Sequence, residues 1–82
     1  MAELRLIGFG SDRPAGFGVS GRLALPLKQP TTPCQLLQEI GLARTPDLIL
    51  LVDSTAVSPE QWRQPIIHDS SEVTLLSAVE GG

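Results

Sequence analysis

Leu4 and Leu6 alternate with Glu3 and Arg5, the two-residue period of a strand with one buried face, and predict a strand over residues 2–9. Gly10-Ser11-Asp12-Arg13-Pro14-Ala15-Gly16 then reads as a loop. A second alternation follows, with Val19, Gly21, Leu23 and Leu25 set against Ser20, Arg22 and Ala24, and it runs until Pro26. Together they predict an antiparallel hairpin with a long connection. The period then changes. Leu36, Leu37 and Ile40 share one helical face, Thr32 suits the N-cap, Pro33 the first helical position and Gln35 a capping box. Gly41 suits the C-terminal cap.

Leu48-Ile49-Leu50-Leu51-Val52 shows no alternation, which predicts a strand buried on both faces. Ser58-Pro59-Glu60-Gln61 repeats the cap-Pro-x-Gln pattern and predicts a single helical turn, packed onto the core by Trp62, Ile66 and Ile67. Asp69-Ser70-Ser71 reads as a turn in which the Asp69 carboxylate accepts nearby backbone N–H bonds. A last strand is expected over residues 73–79, followed by Glu80-Gly81-Gly82. The order strand, strand, helix, strand, short turn, strand predicts an α+β fold of the β-grasp type. It would hold a mixed sheet of four to five strands with one helix packed across one face. The final strand is expected beside the first and parallel to it. Residues 1–79 would form the domain and residues 80–82 a flexible tail.

Strand parity adds a surface prediction. With Leu4, Leu6, Val73 and Leu75 facing the helix, Ile7, Phe9 and Leu76 face the other way. Phe9 and Leu76 would then meet as an exposed apolar patch near the tail, a docking site for a partner, unless the 10–18 loop covers them.

A chain of 82 residues has room for one domain and one core. Its 41% apolar and 18% charged residues are a globular balance. Met1-Ala2-Glu3-Leu4-Arg5-Leu6 lacks the basic region and apolar block of a signal peptide, and the longest apolar run, residues 48–52, is too short to span a bilayer. The expectation is a cytoplasmic protein without a membrane partner. Residues 1–41 carry a net charge of +1 and residues 42–82 carry −4, giving −3 in all. An acidic half repels phosphate, and Trp62, Phe9 and Phe17 are too few for base stacking, so nucleic acid is not an expected partner. A basic protein surface fits the charge better.

Side-chain chemistry is scarce. One Cys (Cys34) and one His (His68) cannot build a Cys/His zinc site or an internal disulfide, and no metal site is expected. Gly16-Phe17-Gly18-Val19-Ser20-Gly21 matches G-x-G-x-x-G, but these glycines lead into a strand where a dinucleotide site needs a helix, so the hairpin-loop reading is favoured. Cys34 falls in the first helical turn, where free N–H groups lower a thiol pKa, yet it lacks a base and reads better as a packed apolar residue. His68 beside Asp69 reads as a solvated turn residue. No catalytic residue and no bound cofactor are expected of so small a chain.

Glu80-Gly81-Gly82 remains. Taken alone, a Gly pair is a frayed end. After a well-patterned strand it is more informative: extended, residues 80–82 reach about 10 Å beyond the fold, and without Cβ atoms they fit a narrow channel. The Gly82 carboxylate is then an unhindered acyl group, inert until adenylation by ATP gives it a leaving group that sulfide or a thiol displaces.

Here the chain resembles the ubiquitin-like sulfur carriers of the MoaD/ThiS family. The resemblance covers nearly the whole chain as an order of elements. It is carried by Val57-Ser58-Pro59-Glu60-Gln61-Trp62, Ile66-Ile67-His68-Asp69, Glu72-Val73 and Val79-Glu80-Gly81-Gly82. The Glu-Gln-Trp stretch is closest to the thiazole (thiamine) branch, and the long first hairpin to the small subunit of molybdopterin synthase. Three positions depart from the family pattern: Ser70-Ser71 stand for the Gly-Asp of the turn, Ser77-Ala78 where many molybdopterin-type members have prolines, and Glu80 places a charge before the glycines. The resemblance implies that Gly82 is adenylated with MgATP by an enzyme of the ubiquitin-activator type. A sulfur donor then converts it to a thiocarboxylate, which serves an acceptor synthase, the molybdopterin synthase large subunit or thiazole synthase. ATP and magnesium belong to the activating partner. The alternatives are a ubiquitin-like modifier conjugated through Gly82, a β-grasp interaction module with an inert diglycine, and, weakest, a Cys34-dependent sulfur enzyme. Lys28 is the only lysine, which disfavours self-linked chains.

Overall fold

The computed structural model describes residues 1–9, 16–18, 20–43 and 48–77. Strands β1 (Ala2–Ile7), β2 (Arg22–Leu25), β3 (Leu48–Val52), β4 (Thr55–Val57) and β5 (Glu72–Ser77) form one sheet in the order β2-β1-β5-β3-β4. β5 runs parallel to β1 and antiparallel to β3, and the other pairs are antiparallel. Helix α1 (Pro33–Ile40) lies between β2 and β3 in the chain. Its Leu36, Leu37 and Ile40 join Leu4, Leu6, Leu50, Val73 and Leu75 in one core. This is an α+β fold of the β-grasp type: a mixed five-stranded sheet with one helix packed across one face.

The predicted caps form. Thr32 Oγ1 accepts from Gln35 N–H at 3.1 Å while Gln35 Oε1 accepts from Thr32 N–H at 3.2 Å, so two orphan donors of the first turn are satisfied reciprocally. Gly41 takes the left-handed conformation at φ +82° and returns its N–H to the last turn. Ser58 and Gln61 repeat the box at the start of the 3-10 turn Pro59–Arg63. Trp62 is half-buried and donates Nε1–H to the Val57 carbonyl at 3.3 Å. Ile67 is fully buried and exchanges both backbone bonds with Thr31, pinning the segment to the helix entrance.

Three departures from the sequence reading have local causes. Thr55–Val57, to which the sequence pattern assigns no element, forms β4 because Asp53 and Ser54 make a two-residue hairpin turn at φ +51° and +70°. β1 stops at Ile7, because Gly8 turns left-handed at φ +80°. β3 is not buried on both faces: Ile49 is 45% exposed, since no element among the described residues covers the sheet opposite α1.

Asp69 does more than close its own turn. Its Oδ1 accepts Leu27 N–H at 2.8 Å, 42 positions away in sequence, and its Oδ2 lies 3.3 Å from the Met1 ammonium. The turn itself is closed by Ser71, whose Oγ accepts His68 N–H at 2.9 Å and whose own N–H bonds the His68 carbonyl at 2.9 Å. The Leu27 N–H chiefly, then the Met1 ammonium, holds the Asp69 carboxyl below the ordinary carboxylate range. A lowered folded-state pKa adds stability that is full above the unfolded value, near ~3.9, and is lost as pH falls through the folded one. The stability advantage of the wild type over Asp69→Asn should therefore shrink as pH is lowered below about 4, as read by urea unfolding across that range. Ser54→Gly should raise unfolding free energy by about 1 kcal/mol in the same assay at neutral pH, because glycine adopts a positive φ without a Cβ clash.

Candidate functional site

β5 is the strand that leads toward the tail, and its position decides what stands near the chain's exit. It is flanked by β1 and β3, and its last residue, Ser77, pairs with Leu48. The turn at Gly8 lies against it, where an added Cβ would sit 3.3 Å from the Ser77 carbonyl oxygen. Glu80, Gly81 and Gly82, the expected adenylation site and its tail, lie outside the described residues.

The face of the sheet opposite α1 is ordered by register. Ile7 pairs with Leu76 across β1 and β5, and Leu76 with Ile49 across β5 and β3. These three side chains form an aliphatic row at the end of the sheet where the chain leaves β5. Ile7 is 43% exposed and Ile49 45%, with Leu76 half-buried between them. Two residues back along the strands, Arg22, Arg5, Thr74 and Leu51 form the next row. Two further back, Glu3 pairs with Glu72. The two charged rows line a groove of about 260 Å³ with Ser54 at one side.

The expected Phe9–Leu76 patch is corrected by this geometry. Phe9 is only 7% exposed and belongs to the core, because the left-handed turn at Gly8 breaks the strand alternation and returns the ring to the helix side. Leu76 stands where parity put it, with Ile7 as its neighbour. Ile49 escaped the sequence reading because an unbroken apolar run gives no parity signal. Only its pairing with Leu76 places it on the open face.

The remaining candidates are not gathered. Cys34 is half-buried in the first turn of α1, and His68 is exposed in the turn before β5. Gly18 and Gly21 of the G-x-G-x-x-G match are joined by a Gly21 N–H to Gly18 carbonyl bond of 2.8 Å and lead into β2, as a hairpin connection does. Among the described residues no group of three or more His, Cys, Asp or Glu is placed to hold a metal, and no helix is long and apolar enough to cross a membrane.

The two faces predict opposite mutational costs. Phe9→Ala should lower unfolding free energy by about 3–4 kcal/mol, as loss of a core ring does. Ile49→Thr keeps the β-branch on an open face and should cost less than about 1 kcal/mol, both read from denaturant midpoints.

Comparison with models of known protein families, with curated proteins and with solved structures finds no match for the chain.

Proposed function

We propose that the protein is a cytoplasmic sulfur carrier of the MoaD/ThiS type, a co-substrate whose Gly82 carboxylate is its reactive group. The observation that carries this reading is the position of β5. A central strand parallel to β1 leads toward Gly81-Gly82, at the end of the sheet that bears the aliphatic row. A partner seated on that row lies beside Ser77, the last residue of β5.

The chemistry asks little of the chain's own side chains. A Gly82 carboxylate oxygen attacks the α-phosphorus of ATP on the activating partner and pyrophosphate leaves. Hydrosulfide then adds to the acyl carbon, AMP departs, and a thiocarboxylate remains. With a persulfide donor, a second thiol cleaves the acyl disulfide and is itself oxidised to a disulfide. Gly81 and Gly82 contribute by having no Cβ, which lets the backbone lie in a narrow channel. The thiocarboxylate then serves an acceptor synthase of molybdopterin or thiazole synthesis.

The test is mass spectrometry of the intact protein after incubation with MgATP, an adenylating enzyme of the ubiquitin-activator type from the same cell and a sulfide source. Exchange of one terminal oxygen for sulfur is the expected result, and deletion of Gly82 should abolish it while leaving the thermal midpoint unchanged. Isopeptide adducts on other proteins would point instead to a modifier. An unchanged mass, with an enzyme active on its own carrier, would refute both.

A further inference from the structure

We propose that the open sheet face is read by the adenylating partner as three ordered zones, and that the Arg5–Arg22 pair selects a partner with carboxylates beside an apolar ridge. This rests on the sulfur-carrier reading, whose partner it describes.

The argument starts from two like-charge registers. Arg5 stands directly opposite Arg22, and Glu3 directly opposite Glu72. Side chains so paired have Cβ atoms ~5 Å apart, and like charges there destabilise a sheet. Both arginines are exposed, and neither makes an ion pair among the described residues, where the ion pair found joins Met1 to Asp69. Glu3 and Glu72 stand one row further along the same face, and among the described residues neither comes within ion-pair distance of the arginines. Carboxylates from outside would relieve that repulsion, and the planar guanidinium binds them with two parallel hydrogen bonds.

The order of the zones fixes direction. From the end where β5 stops at Ser77, a partner meets the aliphatic row, then the arginines, then the glutamates, in steps of about 7 Å. Its complement is an apolar ridge, then Asp or Glu, then Lys or Arg, in the same order. A uniformly acidic surface is repelled by Glu3 and Glu72, and a partner docked in the reverse direction sets its cations against the aliphatic row and its apolar ridge against the glutamates, which desolvates charge without pairing it. A second copy of this chain, turned so that arginines meet glutamates, leaves both aliphatic rows uncovered. The zones therefore admit one orientation, with the tail end foremost.

The experiment is ATP–pyrophosphate exchange by that adenylating enzyme as a function of carrier concentration. Wild type is compared with Arg5→Gln/Arg22→Gln, and with Glu60→Gln on the 3-10 turn as a control. The double variant should show a KM for the carrier raised about fivefold or more at low salt, with kcat unchanged. The difference should close at about 0.5 M salt. Its melting temperature should be equal to or above that of wild type, a result that a merely structural role would reverse. A KM within about twofold of wild type, or a fall in melting temperature, overturns the inference while persistent exchange leaves the carrier reading standing. Absence of exchange with wild type, using an enzyme active on its own carrier, overturns both.

Discussion

The insertion of β5 between β1 and β3 is the constraint on which the rest of the structure depends. Its parallel pairing with β1 joins segments from opposite ends of the chain, so the first strand cannot be completed until the last is made. Such long-range pairing is slow to form and entropically costly. It is compensated by burial: Leu4, Val73, Leu75 and Leu50 are all essentially inaccessible on the helix side. That face also holds Leu36 and Leu37 of α1, so the helix and the central strands stabilise one another.

Short polar side chains fix the register that this burial alone would leave loose. Asp53 accepts Glu72 N–H at 2.9 Å and donates its own N–H to the Glu72 carbonyl at 2.8 Å, locking the β3–β4 turn to the start of β5. Glu3 N–H donates to the Ser71 carbonyl at 3.0 Å, and Asp69 ties the turn before β5 to Leu27. A slip of one residue in β5 would break these bonds and turn Val73 and Leu75 toward the open face.

The same register composes that open face. Ile7, Leu76 and Ile49 come from segments about 27 and 42 positions apart in sequence and meet only because three strands are in step. A chain poor in His and Cys has little side-chain chemistry to offer, and this surface and the tail sequence beyond β5 are where recognition and reactivity are placed by the proposed function. On that proposal the sheet presents the recognition surface and the reactive group is a main-chain carboxylate.

Where signals are local, the sequence alone was sufficient. Thr32-Pro33-x-Gln35 and Ser58-Pro59-x-Gln61 specify helix starts because a cap satisfies backbone N–H groups within four residues. The alternation of Leu4, Leu6, Val73 and Leu75 specifies a buried face because successive Cβ atoms on a strand point to opposite sides. The hairpin turn at Asp53-Ser54 was not legible, since neither residue is glycine, and β4 was missed with it. Parity does not reach Phe9, because it extrapolates a strand that Gly8 ends. Sequence places the Asp69 acceptor in a turn, but its partner Leu27 lies across the fold. Leu76 was legible as outward-facing. Its aliphatic neighbours and the Arg5–Arg22 opposition were decided only by the tertiary structure, because strand register is a relation between distant segments and no single segment encodes it.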